Sequence, residues 1–359
     1  MNILALVEAE DHVCCRYRIS AFRPHWEAAG HKLTIRELPR GIWARLRALA
    51  AVGSADVVVL QRKLLSRVEV ALLRRHARRL VFDFDDALWM RDSHSGKGFE
   101  SSKRRRRFLA IVRAADAVVA GNSILAAEAG ARATVIPTCI NLDSYSVPVP
   151  GYSRGGTGFQ PVLQSDCGQA RSLSYNCIAK MSGAIQLVWI GSSSTLKGLE
   201  LQRELWEAIG RAIPGLRLKV ICDRFPHFAN LPVDAVPWNE ATEVEELAGA
   251  DIGVAWVPDD PWSRGKCALK LLQYHAAGLP VVANPVGVQA EIVRPGENGF
   301  LATTPDEWIR SIRTLVNDAD LRKRLGTAGR EQVRTAYSVD VGAAQWLALL
   351  EQLGKGAPC

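Results

Sequence analysis

Residues 263–283 run Ser263-Arg264-Gly265-Lys266-Cys267-Ala268-Leu269-Lys270-Leu271-Leu272-Gln273-Tyr274-His275-Ala276-Ala277-Gly278-Leu279-Pro280-Val281-Val282-Ala283. They spell a basic, glycine-containing loop, a helix over about 268–277 and a buried strand, with Gly278 as the stop between the last two. The strand is apolar throughout instead of alternating, the pattern of a parallel strand covered by helices on both faces.

The same unit recurs along the chain. In the C-terminal part, strands are expected near 185–190, 216–222, 234–237, 251–255, 280–283 and 299–301. Helices are expected at about 199–212, 241–248, 268–277, 305–317, 319–334 and 339–353. The N-terminal part has strands near 3–7, 32–36, 56–60, 80–84, 117–120 and 133–136, and helices over 16–29 (closed by Gly30), 64–77 and 103–114. This βαβ succession predicts an α/β chain of two Rossmann-like, doubly wound domains facing across a cleft at the C-terminal ends of both sheets. Residues 148–183, rich in Gly, Ser and Gln and without periodicity, read as a linker or insertion. The division is therefore 1–147, 148–183 and 184–337, with a C-terminal helix within 338–359 expected to pack back on the first domain.

At 359 residues the chain can bury two cores, which excludes a peptide hormone, a small binding module and a collagen-like fibre. Apolar residues at 48% and charged residues at 23% are ordinary globular values. No apolar run reaches the ~18 residues that cross a bilayer, and the chain enters Ile3-Leu4-Ala5-Leu6-Val7 without a charged leader, so a cytoplasmic location is expected. Eight cysteines, at 14, 15, 139, 167, 177, 222, 267 and 359, form no CxxC pair and no Cys/His ligand spacing. Reduced thiols and no metal site are expected. The seven histidines form no HExxH set. His275 reads as a packed or surface side chain, and His12 as a weak acceptor-side candidate.

The net charge of +8 is unevenly spread, with 24 Lys and Arg against 15 Asp and Glu in residues 1–150. A helix over 62–79 would place Lys63, Arg67, Arg74 and Arg78 within about 60° of one another, and Lys103-Arg104-Arg105-Arg106-Arg107 adds a second block. These read either as solvated helix faces or as a footprint on an anionic membrane surface. With no helix-turn-helix, zinc finger or aromatic RNA-binding strand, no nucleic-acid partner is expected.

Two segments suit a diphosphate. In the quoted stretch, free N–H groups at the helix start lie near Arg264, Lys266 and Lys270. In Val188-Trp189-Ile190-Gly191-Ser192-Ser193-Ser194-Thr195-Leu196-Lys197-Gly198, a strand ends in a Gly-Ser turn and Lys197 precedes a helix. Neither GxGxxG nor GxxxxGK[ST] is present, which disfavours NAD and Walker-type ATP binding. The acidic cluster Asp83, Asp85, Asp86 has three readings: a metal-bridged DxD site, a cap by Asp86 on the turn at 87–89, or, as favoured, Asp85 and Asp86 at a strand end facing the cleft. There they bind acceptor hydroxyls or take up a proton. Arg16 meets an anion or is a solvated first-turn arginine, and Asn122 and Ser123 bind an acceptor or cap the next helix.

Residues 263–301, with Asn284-Pro285-Val286-Gly287, Glu291 and Gly296-Glu297-Asn298-Gly299, resemble the donor half of the group 1 (family 4) glycosyltransferases, which have the GT-B fold. Arg16-Tyr17-Arg18, the strand 81–89, Ala115-Asp116-Ala117 to Ser123 and Val135-Ile136-Pro137 agree in order. The resemblance implies retaining transfer of a sugar from a nucleotide diphosphate sugar, without a cofactor and without a metal, because helix N-termini and basic side chains neutralise the leaving diphosphate. The implied acceptor is a glycan, a lipid-linked sugar or another cell-surface molecule, as in polysaccharide synthesis at the inner face of a membrane.

Carried over, Gly191, Ser192, Ser193 and Lys197 contact phosphate, as does the backbone at Cys267, Ala268 and Leu269, with Arg264, Lys266 or Lys270 adding charge. Gln273 stands where the family often has a ribose-binding glutamate, and Gly265 where it commonly has one touching the donor sugar. Both acids are absent. A catalytically silent nucleotide-sugar or glycan-binding relative, and a sugar-nucleotide epimerase on the same fold, therefore stay open.

Overall fold

A computed structural model of the chain describes residues 1–145 and 184–355, so the expectation of a linker over 148–183 lies outside the described residues. The first sheet holds β1 (Asn2–Val7), β2 (Lys32–Glu37), β3 (Val57–Gln61), β4 (Leu80–Phe84), β5 (Ala117–Ala120) and β6 (Ala133–Val135) in the order β2-β1-β3-β4-β5-β6. The second holds β7 (Gln186–Ile190), β8 (Arg217–Cys222), β9 (Val233–Pro237), β10 (Ile252–Ala255), β11 (Val281–Ala283) and β12 (Gly299–Leu301) in the order β12-β11-β10-β7-β8-β9. Every pairing is parallel. The fold is two Rossmann-like halves, as the strand pattern predicts.

The continuous apolar runs have the predicted cause: β3, β4 and β7 are buried at every position, because helices cover both faces of each sheet. Strand order reverses between β1 and β3 in one sheet and between β7 and β10 in the other. Ligands of open α/β sheets sit at such switch points, beyond the carboxyl ends of the strands. Arg62 follows β3 and Gly191 follows β7, so each lies at one of them.

Several helices differ from the sequence reading. The helix expected over 16–29 is broken into Val13–Arg18, a 3-10 turn Ser20–Phe22 and Arg23–Ala28, because Pro24 has no N–H for a continuing helix and starts a new one instead. The segment expected at 199–212 is two helices, Ser193–Leu201 and Arg203–Ala212. Lys197 thus lies within a helix and does not precede it. Helix Arg67–His76 starts only after the capping box of Ser66 and Glu69, which leaves Lys63 and Arg78 outside it. Helices Ile42–Ala50 and Ser123–Ala129 also form.

The chain crosses between the halves again near its end. Ile140 and Ser338 form a parallel bridge, with Val339 N donating to Ile140 O at 3.0 Å and Ile140 N to Tyr337 O at 2.8 Å. Helix Val339–Lys355 then packs on the first half, where the buried Trp346 meets Trp26 edge-on with ring centroids 5.4 Å apart.

Candidate active site

The donor-side candidates form around Gly191. A Cβ there would lie 2.6 Å from Thr195 Oγ1 and 2.7 Å from Lys270 Nζ, so only glycine lets the end of β7 approach the start of helix Leu269–Ala276. Lys270 Nζ lies 3.4 Å from Thr195 Oγ1 and 4.8 Å from the Trp189 ring centroid. Burial, and then the charge of Lys266, push its ammonium down to about 7. Ala268, which precedes this helix, has φ +51°, a left-handed conformation that costs an alanine on the order of 1 kcal/mol. The first-turn N–H groups of Leu269 and Lys270 find no acceptor among the described residues.

At the neighbouring helix start, Ser193 N donates to Asp223 Oδ1 at 2.7 Å and Ser192 N to Thr195 Oγ1 at 3.2 Å. A carboxylate therefore already lies against one of the amides expected to meet phosphate. Lys197 is exposed and makes no hydrogen bond or ion pair with these groups. Arg264 is drawn away, paired with Asp259 at 2.7 Å.

The opposite wall is a network of ion pairs. Fully buried Arg18 donates to Asp83 at 2.6 Å and to Ile136 O at 3.0 Å. Burial opposes its charge, but Asp83 beside it outweighs this and holds the guanidinium charged. Arg62, at φ +57°, pairs with both Asp85 and Asp86, the latter at 2.7 Å. Burial alone would raise the Asp85 carboxyl; Arg62 and Arg18 outweigh it and hold it below the usual range. The three carboxylates thus face guanidinium groups, not one another. Among the described residues no group of three or more His, Cys, Asp or Glu could hold a metal ion.

The walls touch. Cys267 Sγ lies 3.3 Å from Asp85 O, and a Cβ on Gly265 would come within 3.0 Å of Ala87 Cβ and 3.1 Å of Leu125 Cδ2. A side chain there would make Ala87 and Leu125 give way by a few tenths of an ångström. Asn122 is nearly buried: its Oδ1 accepts from Leu125 N at 2.8 Å and its Nδ2 donates to Gly265 O at 3.1 Å. It caps helix Ser123–Ala129 and ties it to the donor loop, so its amide is not open to an acceptor. Ser123 is the first residue of that helix and is exposed. Arg16 reaches across to Glu240 at 2.9 Å and lies over the Tyr17 and Trp238 rings; it is half-buried and paired, not a free first-turn arginine. Gln273 is also spent, donating to Glu243 Oε1 at 2.9 Å and to Tyr17 Oη at 3.1 Å.

The sequence reading missed Arg62, Arg18, Tyr17, Asp223 and Glu243. Buried Glu243 accepts from Gln273, from Tyr17 at 3.0 Å and from Trp238 Nε1 at 2.7 Å. It brings a carboxylate beside Gln273, where the resemblance leads one to expect an acid. The signal for Arg62 was its place directly after β3, at the switch point, which the helix assigned to 62–79 concealed. Of the expected basic stripe, Lys63 pairs with Glu8, Arg74 with Asp116 and Arg78 with Asp56, whereas Arg67 is exposed and makes no ion pair among the described residues.

Comparison with known proteins bears on this geometry. The family described as "Glycosyl transferase-like" matches residues 200–348, which hold most of the second Rossmann-like half. No curated protein matches the chain. Sucrose-phosphate synthase from Thermosynechococcus elongatus superposes with a TM-score of 0.73 at 16% identity, over 99% of this chain and 100% of that one. A glycosyltransferase from Rickettsia africae gives 0.70 at 12% identity, over 99% of each chain. Anabaena HepE, solved in complex with UDP and glucose, gives 0.67 at 15% identity, over 98% and 100%. The chain shares with them the two-domain GT-B fold.

Proposed function

We propose that the protein is a glycosyltransferase that moves a sugar from a nucleotide diphosphate sugar to a glycan, a lipid-linked sugar or another cell-surface acceptor. The observation that carries this reading is the meeting of Gly191, Thr195 and Lys270 with the unspent Leu269 and Lys270 amides at the second switch point. It supplies positive charge where a leaving diphosphate needs it. The likeness in fold to HepE, which holds UDP and glucose, supports the same donor class.

In this reading Lys270 and the helix start take the charge of the leaving group, so the reaction needs no metal, and the sugar is retained in its configuration. Asp85, kept ionised by Arg62 and Arg18, and Asp86 stand at the end of β4 to receive the proton of the acceptor hydroxyl. The enzyme works in the cytoplasm at the inner membrane face. The half-exposed Ile42 and the strongly exposed Trp43, near Arg40 and Arg47, suit an anionic lipid surface better than the 62–79 face, where Lys63, Arg74 and Arg78 are already paired. Co-sedimentation with vesicles that ignores anionic lipid content and salt would remove this part of the proposal.

A silent relative is the second reading, favoured by the closed packing of Gly265 and the engagement of Gln273. One experiment separates the readings: the protein is incubated with a panel of nucleotide sugars, with and without EDTA. Release of nucleotide diphosphate in the presence of EDTA supports metal-independent transfer, to an acceptor or to water, and NMR of the glycoside formed on an added acceptor tests retention. Binding without release identifies the silent relative, and an isomerised donor identifies an epimerase.

A further inference from the structure

A second cavity, of about 570 Å³, opens beside the acidic wall, away from Gly191 and Lys270. Six cations line it: Arg62, Arg91, Lys97, Lys103, Arg104 and Arg107. Glu8 is its only acidic lining residue, and it is paired with Lys63 at 2.9 Å. Three of the arginines spend donors on neutral backbone oxygens: Arg91 on Lys97 O, Arg104 on Leu88 O and Arg107 on Leu64 O. These bonds fix the guanidinium groups without cancelling their charge. The ammonium groups of Lys97 and Lys103 make no hydrogen bond or ion pair among the described residues, although the Lys97 backbone bonds to Arg91 and Ser95.

The helix behind this wall, Ser102–Ala114, has no acid in its first turn. Its positive pole is surrounded by Lys103, Arg104 and Arg105, the reverse of what the helix dipole favours. An anion in the cavity relieves that arrangement. Across the opening the donor half contributes Trp262, a flat apolar surface of the kind on which a sugar ring lies. Arg62 joins the cavity directly to Asp85 and Asp86.

We infer that this cavity binds a phosphoryl group attached to a sugar, so that the acceptor is a glycosyl phosphate or diphosphate held by its charge while its ring faces Asp85 and Asp86. Arginine forks match phosphate oxygens, and the volume suits a monosaccharide with its phosphates. This rests on the transferase reading for its place in a reaction, but binding can be measured without turnover.

The test is calorimetric titration of the full chain with glucose 1-phosphate, with farnesyl diphosphate and with neutral methyl glucoside. Two variants accompany it: Lys97→Glu/Lys103→Glu, whose ammonium groups support no other residue, and Lys270→Ala as the donor-side control. The charged probes are expected to bind the double variant at least about tenfold more weakly than the wild type, and Lys270→Ala is expected to change their affinity by less than the double variant does. Methyl glucoside should not bind. Tighter binding of farnesyl diphosphate assigns the phosphate to a lipid carrier, and tighter binding of glucose 1-phosphate assigns it to a soluble sugar phosphate. Unchanged affinity in the double variant, loss in Lys270→Ala instead, or no binding of either charged probe at ~10 mM overturns the inference. If the transferase reading alone is wrong, nucleotide sugars stay intact while this binding persists.

Discussion

The two walls of the cleft are built on opposite principles. On the first half, Arg18, Arg62, Asp83, Asp85 and Asp86 are closed into ion pairs. On the second, Lys270 is half-buried without a carboxylate and two helix-start amides have no acceptor among the described residues, while each wall holds one left-handed non-glycine residue, Arg62 and Ala268. The first wall is complete in itself, whereas the second is completed only by an anion. Unsatisfied charge tends to collect where a ligand will resolve it, so the difference marks the Lys270 side as the candidate ligand site more sharply than either wall does alone.

The comparison breaks most visibly on the satisfied wall. Arg18→Ala leaves Asp83 buried and unpaired, and should cost about 3–5 kcal/mol in urea unfolding, while Arg18→Met/Asp83→Leu should recover much of that loss. A single variant as stable as the wild type would show that the pair does not hold the wall.

His275 extends the contrast to the hidden face of the donor helix. Neither ring nitrogen has a partner among the described residues, and burial pushes its pKa down to about 4. The unfolded chain binds this proton near 6.5, so the stability it confers is whole above about pH 6.5 and is lost as pH falls toward 4. Between pH 7 and 4 the wild type should lose on the order of 3 kcal/mol more than His275→Leu. Parallel losses in the two proteins would refute this.

Lys270 sharpens the comparison through binding. A bound diphosphate should restore its charge, so titration with a nucleotide diphosphate near pH 7.5 should take up a proton, and affinity should fall as pH rises above about 7. Buffers of different ionisation enthalpy read the uptake directly. Lys270→Ala should weaken binding by about ten- to a hundredfold and abolish the uptake. Proton uptake that survives the substitution would assign it elsewhere.

The smallest effect concerns the contact between the walls. Gly265→Glu must push Ala87 and Leu125 away, at about 1–3 kcal/mol, and should open the cleft detectably in small-angle scattering. An unchanged radius of gyration and an unchanged melting temperature would show that the walls do not press on this residue.

Most strands could be read from the sequence because burial on both faces writes itself as an unbroken apolar run, as in Val57 to Leu60. The Gly191 turn and the Lys270 helix start were also visible, since glycine and a helix boundary are local signals. The pairings were not. Arg18 meets Asp83 across 65 positions, and Gln273 meets Tyr17 across 256; no local spacing encodes either. Asn122 was legible as a cap but not as a tie to Gly265. The run 103–107 gave its charge but not its division, in which Arg105 turns to Glu128 while Arg104 and Arg107 face the cavity.

The return of the chain at Ile140 and Ser338, with Trp346 set against Trp26, makes the first half a composite of two distant stretches of sequence. A cut between residues 145 and 184 would therefore leave two fragments that remain interlocked, since the later one carries a helix of the earlier one's core. Each fragment expressed alone should be poorly soluble, and the two co-expressed should reassemble. Removing the last helix alone should uncover Phe22 and Trp26 and loosen the first half, while Asn122 and Cys267 still tie the two walls together.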